Sequence, residues 1–152
     1  MSTTRAERHI RATPERVYAL LLDPEAVAEW MVPDGMSSVV HEFDVRPGGR
    51  FRISLTYDSS DAVGKTSSRT DTSHGRFVTL TPDEKVVQAV EFETDDPTLQ
   101  GESIITYTLT RAGAETDVLA VHENLPPGVP PADNELGFSM SLAKLAALAE
   151  SR

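Results

Sequence analysis

The segment Pro131–Glu150, PADNELGFSMSLAKLAALAE, is the one around which the rest of the chain is organised. At about 3.6 residues per turn, Phe138, Leu142, Leu145, Leu148 and Ala149 fall on one side. Ser139, Ala143, Ala146, Ala147 and Glu150 fall on the other. The spacing predicts one long amphipathic helix. No helical run of comparable length precedes it, so its apolar face needs a sheet to lie on. Gly137 interrupts the run at a cost of about 1 kcal/mol relative to Ala. It marks either a close approach by backbone or ligand, or a frayed first turn.

Moving towards the N-terminus, Leu125–Pro131 (LPPGVPP) reads as a stiff connector. Before it lie four segments of strand character, Glu115–Glu123, Gly101–Arg111, Lys85–Glu93 and His74–Thr81, separated by Gly- and Pro-containing turns. Val86, Val90 and Phe92 share one side of their segment, as do Ile105, Tyr107 and Leu109 of the next. One face of this meander is therefore apolar and should meet the helix. Asp58–Ser73 (DSSDAVGKTSSRTDTS) is polar and longer than an ordinary hairpin connection, and reads as a mobile loop at the mouth of a site.

Further upstream, period-two patterning places Val39, His41, Phe43 and Val45 on one face, followed by the turn Pro47-Gly48-Gly49 and then Phe51, Ile53, Leu55 and Tyr57. Arg5–Ala12 reads as a first strand. Thr13-Pro14-Glu15 and Asp23-Pro24-Glu25 each combine a capping oxygen, a Pro at the first helical position and an acid in the first turn. They start two short helices, the first on Val17, Leu20 and Leu21, the second on Val27 and Trp30.

The resulting order is strand, two short helices, six strands and a long helix. This is an α+β architecture of about six to seven antiparallel strands curved around the C-terminal helix. Side chains splay apart on a concave face, so a lined cavity between sheet and helix is expected. The 152 residues fit one domain, 1–152, with no internal repeat. There is no cysteine, the N-terminal MSTTRAERHIRA has no apolar signal region, and no apolar run approaches the roughly 20 residues of a membrane span. These features predict a cytoplasmic protein without membrane insertion. The net charge of −10 repels phosphate backbones, so nucleic acid is not an expected partner.

Four stretches carry a family resemblance: AEWMVPDG (Ala28–Gly35), FDVRPGGRFR (Phe43–Arg52), HGRFVTLTPDEKVV (His74–Val87) and HENLPPGVPPADNELGFSMSLAKL (His122–Leu145). In order and spacing they resemble the START-like (SRPBCC) superfamily, and within it the branch named for the activator of the ninety-kilodalton heat-shock chaperone's ATPase (AHSA-like). The resemblance spans essentially the whole chain. It implies a helix-grip fold with an internal cavity for apolar or amphipathic small molecules. It does not imply one chemistry, because the superfamily includes lipid carriers, hormone receptors and aromatase/cyclases. The chaperone activator carries an additional N-terminal domain, whereas this chain begins almost at its first strand, so a chaperone role is not the expected one.

The candidate ligand-binding residues are Trp30, His41, Phe43, Phe51, Ile53, Tyr57, Phe77, Tyr107, Phe138, Leu142 and Leu145. His41 either orients a ligand within an apolar lining or is satisfied by a neighbouring carbonyl. Trp30 and Tyr57 could stack on a ligand ring, although Trp30 equally suits core packing. Phe138, Leu142 and Leu145 either line the cavity or fill it. His122 and Glu123 point to opposite faces, so at most one of them meets the interior. Arg46, Arg50 and Arg52 read as a solvated outer face, since Arg50 and Arg52 alternate out of phase with Phe51 and Ile53.

No spacing among the histidines matches a metal site, and neither a nucleophile elbow nor a phosphate-binding loop is present. No cofactor, metal or catalytic residue is assigned. The leading expectation is binding of a hydrophobic small molecule without covalent chemistry. Two others stand beside it: a cyclase- or dehydratase-type enzyme, which would need a buried acid or base such as His41 or Glu123, and a protein-interaction adaptor. Oligomeric state, including a homodimer, is left open.

Overall fold

The computed structural model describes residues 2–58 and 70–151. The elements follow as β1 (Ser2–Ile10), α1 (Pro14–Leu21), α2 (Pro24–Trp30), β2 (Met36–Phe43), β3 (Arg50–Tyr57), β4 (Thr70–Thr81), β5 (Lys85–Phe92), β6 (Ser103–Ala112), β7 (Glu115–Leu125) and α3 (Pro131–Glu150). The strands form one antiparallel sheet in the order β1-β7-β6-β5-β4-β3-β2. This is the expected α+β helix-grip arrangement, with two short helices between the first two strands and the long helix last.

Local chemistry accounts for the short helices. The Thr13 hydroxyl accepts from the Arg16 amide at 3.3 Å, and the Asp23 carboxylate accepts from the Glu25 amide at 3.0 Å. Each satisfies an amide that the first helical turn leaves without a partner, and each is followed by a Pro whose missing N–H costs nothing there. Trp30 closes α2. Its ring is fully buried edge-on to Tyr107, and its indole N–H donates to the Leu20 carbonyl at 3.0 Å, so the side chain pins α2 to α1.

Two expectations about the strands are corrected. Residues 70–73, read as part of a polar loop, are the start of β4; residues 59–69 lie outside the described residues. This end of β4 has no large apolar side chain to betray it. It is held instead by hydroxyl pairs across the ladder, Ser54 with Thr72 at 2.8 Å and Thr56 with Thr70 at 3.1 Å. The second correction concerns β2. Its register against β3 shifts between Val40 and Glu42, so Val40 opposes Ile53 and Phe43 opposes Phe51. The extra residue is His41, and this bulge inverts the phase assumed from strict alternation. Val40 and Phe43 pack on the core, whereas Val39 and His41 are exposed.

The helix α3 lies along β1 and against α1 and α2. Its buried stripe is Ser141, Leu142, Leu145, Ala146 and Ala149, so Ala146, placed on the outer side by the sequence pattern, is in fact buried. The stripe's small Ser141, Ala146 and Ala149, and the small buried Thr4 and Ala6 on β1, allow helix and strand to approach closely. The helix also covers the sheet edge. Glu135 accepts from the Arg5 amide at 3.1 Å and Glu150 from the Arg11 amide at 2.9 Å, taking up backbone donors at the end of the sheet that no further strand pairs. At its C-terminus, the Arg16 guanidinium donates to the Ala149 and Leu148 carbonyls at 2.7 and 3.1 Å. A cation from α1 therefore stands at the negative end of the α3 dipole.

Candidate functional site

The strand register defines which side chains share the concave face. Across the middle of the sheet, Thr4, His122, Ile105, Gln88 and Phe77 form one transverse row, and Ala6, Ala120, Tyr107 and Val86 form the next. Most of the second row is apolar and buried under the helices. The first row carries three buried polar residues, Thr4, His122 and Gln88, on three strands.

His122 is the most constrained of them. It is 7 % exposed and its imidazole is fixed from α3 and β1 together: the Asn134 amide Nδ2 donates to Nδ1 at 3.3 Å, while Asn134 Oδ1 accepts from the Thr4 hydroxyl. With Nδ1 acting as acceptor, the ring proton resides on Nε2. That atom is buried and has no hydrogen-bond partner among the described residues. Burial pushes the His122 pKa down to about 4, which keeps the ring neutral at physiological pH. Phe138, one helical turn beyond Asn134, stands edge-on to the imidazole with ring centroids 5.6 Å apart and also contacts Tyr107.

The structure separates the sequence candidates into three groups. Trp30, Phe51, Ile53, Phe77, Tyr107, Leu142 and Leu145 are buried and fill the centre between sheet and helices. Phe43, Tyr57 and Phe138 are half-buried. His41 is exposed on the outer face, where its Nε2 pairs with the Ser54 hydroxyl at 2.8 Å, so it stands apart from the others. The expectation that it faces inward is overturned by the bulge it occupies. Of the pair His122 and Glu123, His122 faces in and Glu123 is exposed.

Among the strands, the half-buried apolar residues that pack on the main core lie on β2 to β5, while others, such as Tyr18, Leu20, Met31 and Leu148, lie around the helices. Val40, Phe43, Leu55 and Val90 pack against the core but remain partly open, as does Phe92 against the smaller cluster of Leu99, Leu125 and Val129. The concave face is thus closed over β1, β7 and β6 and less covered towards β2. Gly75 belongs to this geometry, because the Phe51 ring lies over it: a Cβ there would sit 2.8 Å from that ring and 1.9 Å from the Ala89 carbonyl oxygen. Gly137 is different, since a Cβ would meet only Pro33, at 3.7 Å. Close packing therefore does not explain the glycine within α3.

Two surface concavities lie away from the concave face. One, of about 320 Å³, is bordered by Glu29, Lys144, Ala147 and Leu148 between α2 and α3. The other, of about 350 Å³, is on the outer sheet surface beside Arg50, His74, Arg76 and Glu91. That outer surface is laced by ion pairs. Arg52 grips Glu93 through two bonds at 2.8 and 3.0 Å, and His74 bridges Glu93 and Glu91. The Arg52 contact, followed by that of His74, holds the Glu93 carboxyl below its usual range. Arg52 is outward, as its phase relative to Phe51 and Ile53 implied. Among the described residues no three His, Asp or Glu side chains form a group able to hold a metal, and no helix is long and apolar enough to cross a membrane.

Sequence reasoning passed over Asn134, Thr4 and Gln88. Gln88 had a signal: it lies in phase with Val86, Val90 and Phe92, a polar residue inside an apolar row. Asn134 and Thr4 carried none, because their meeting joins residues 130 positions apart.

Comparison with known proteins gives a consistent picture. The profile of a family described as Activator of Hsp90 ATPase homolog 1-like protein matches residues 11–150. A crystal structure of a Chromobacterium violaceum protein superposes with a TM-score of 0.87 at 36 % identity, covering 97 % of this chain and 96 % of that one. The AHSA1 protein of Silicibacter pomeroyi superposes at 0.81 with 21 % identity over 99 % of this chain and 100 % of its own. An AHSA1-like protein of Aeromonas hydrophila does so at 0.72 with 17 % identity, covering 99 % and 93 %. These last two likenesses are of fold. No functionally curated protein is significantly similar in sequence.

Proposed function

The chain belongs to the family of Activator of Hsp90 ATPase homolog 1-like proteins, and we propose that it binds a hydrophobic or amphipathic small molecule on the concave face between α3 and the sheet. The observation that carries this reading is the uneven burial of that face. Its β1–β7–β6 side is largely covered by the helices, but Phe138 of α3, over His122 and Tyr107, stays half-buried, as do Phe43, Leu55 and Val90 towards β2. Apolar side chains left partly open on a concave surface favour occupation by an apolar ligand, at about 25 cal/mol per Å² of apolar surface covered. A few convergent polar groups at the floor of such a surface would orient the ligand rather than supply its affinity.

His41 and Glu123, named as examples for the enzyme expectation, are exposed, and the buried base of this face, His122, is bonded to the neutral amide of Asn134 rather than to an acid that could relay a proton. The large exposed apolar residues Val39, Val45, Val78 and Leu136 are spread over β2, the β2–β3 turn, β4 and α3. Binding without covalent chemistry is therefore the reading the geometry favours over enzyme or adaptor.

Native mass spectrometry of the purified protein beside a denatured sample tests the reading, followed by thermal-shift measurements against fatty acids, isoprenoids and aromatic polyketides. A co-purifying mass, or a class of compound that raises the melting temperature in proportion to its concentration, supports it. Absence of both across the panel refutes it.

A further inference from the structure

We propose that His122 is the polar anchor of the ligand site, its Nε2–H donating to a neutral carbonyl-type oxygen on an otherwise apolar ligand, with Gln88 as the second polar contact. The inference rests on the binding function proposed above and specifies its chemistry.

A buried donor without an acceptor is uncommon in folded proteins, and leaving one unmade is costly. The Nε2 of His122 is such a donor. It is not a loose side chain that happens to be unpaired. Asn134 and Thr4, from α3 and β1, hold the opposite ring nitrogen and so set both the ring plane and the tautomer. This is how a protein aims a donor at a ligand: one nitrogen is engaged so that the other is presented in a defined direction.

A second polar residue lies on the same face. Gln88 opposes Ile105, which in turn opposes His122, so the amide and the imidazole lie two strands apart in one row. Gln88 is 3 % exposed. Two buried polar side chains therefore share one transverse row, and His122 presents the buried atom without a partner. Phe138, edge-on to the imidazole and only half-buried, offers an apolar surface for the carbon skeleton next to the acceptor.

The charge balance selects the acceptor. Burial keeps the imidazole uncharged. The two cations that reach α3 are engaged elsewhere, Lys144 on the Val32 carbonyl and Asp34, and Arg16 on the C-terminus of the helix, and no cation is among the partners of the imidazole among the described residues. A carboxylate or phosphate would be desolvated here without a counter-charge, whereas the oxygen of a ketone, ester, lactone or amide would lose little and gain the hydrogen bond.

Two probes of nearly one shape, hexyl phenyl ketone and the hydrocarbon heptylbenzene, test this with the full chain, beside a charged probe of similar length, the para-hexylbenzoate anion. The expected order is ketone first, with an affinity roughly tenfold above heptylbenzene, as one net hydrogen bond allows, and the anion weakest. In the wild-type protein, the His122 ring Nε2–H resonance should move on saturation with the ketone and not with the hydrocarbon. His122→Phe should abolish the ketone's advantage while still binding heptylbenzene, and His122→Gln, which retains an N–H, should restore part of it.

Equal affinities for ketone and hydrocarbon, an unmoved ring resonance at ketone saturation, or tightest binding of the anion would each overturn the assignment of His122 while leaving apolar binding intact. Failure of all three probes to bind would overturn the binding function itself and this assignment with it. The wild-type resonance measurement decides the matter even if His122→Phe does not fold.

Discussion

The Asn134 side-chain amide sits 3.3 Å from Nδ1 of His122 and so ties the start of α3 to the inward face of β7. A neutral, buried imidazole is what makes that contact work: the amide donates to a nitrogen that must carry no proton. The contact is therefore sensitive to acid.

The sign of this sensitivity follows from the two states. Unfolded, His122 titrates near 6.5; folded, near 4, because burial opposes its charge. Above about pH 6.5 both states are neutral and His122 leaves stability unchanged. As the pH falls from there to about 4, the unfolded chain takes up the proton first and stability drops, by roughly 3 kcal/mol in all. Exposed His9 works in the opposite sense. Asp117 and then Glu115 raise its pKa, so its contribution is present below 6.5 and is lost as the pH rises through the folded value. Urea denaturation of wild type and His122→Gln at several pH values should show the gap between them closing, or reversing, as the solution is acidified.

Arg16 binds two carbonyls of the last turn of α3. Its replacement by Ala leaves them without the guanidinium and removes the only cation placed there by α1. A loss of about 2 kcal/mol in denaturant unfolding is expected, with Arg16→Lys recovering part of it because the ammonium can reach one carbonyl but not match the planar fork. An unchanged midpoint for Arg16→Ala would show that water replaces both bonds without penalty.

Gly75 and Gly137 should respond to Ala in opposite directions. At Gly75 the added carbon meets the Ala89 carbonyl oxygen at 1.9 Å, so β4 and β5 must shift, and a loss of about 2 kcal/mol or more is expected. At Gly137 the nearest atom is Pro33 Cγ at 3.7 Å, an ordinary contact, and the helix gains from the better helix former by about 0.5–1 kcal/mol. Melting temperatures of the two variants beside wild type test both directions in one experiment.

Trp30 is the only tryptophan in the chain. Its indole is fully buried and bonded to the Leu20 carbonyl, so its fluorescence should be blue-shifted and poorly quenched by acrylamide. Trp30→Phe leaves that carbonyl without the indole donor and opens space beside Tyr107, for an expected cost of about 2–3 kcal/mol. Strong acrylamide quenching of the native protein would contradict this placement.

Much of the fold was legible because the evidence for it is local. Capping residues followed by Pro announced α1 and α2, period-two runs announced the strands, and the long helical period announced α3. What escaped was whatever breaks a period or joins distant segments. One inserted residue at His41 reversed the inward face of β2, an event that alternation alone cannot show. The first residues of β4 are held by hydroxyl pairs rather than apolar contacts, so they resembled a loop. At the candidate site, His122 could be read as one of two facing options, but its partners could not. Thr4, Asn134 and Gln88 meet or align with it only through the sheet register and the docking of α3.

The sheet order also sets a schedule for biosynthesis. β1 leaves the ribosome before the other strands of this sheet, yet among the described residues it pairs with β7 alone, with Ile10 opposite Thr116, and its helical cover is α3, which follows β7. At roughly 5–20 residues per second, β1 waits several seconds or more for either. During that interval β2 to β6 can zip together as successive neighbours, while Ala6 and Ile10 stay wet. Closure of the domain is thus a late, long-range event, and a nascent chain stalled before β7 would expose an unpaired N-terminal strand to any chaperone or neighbouring polypeptide within reach.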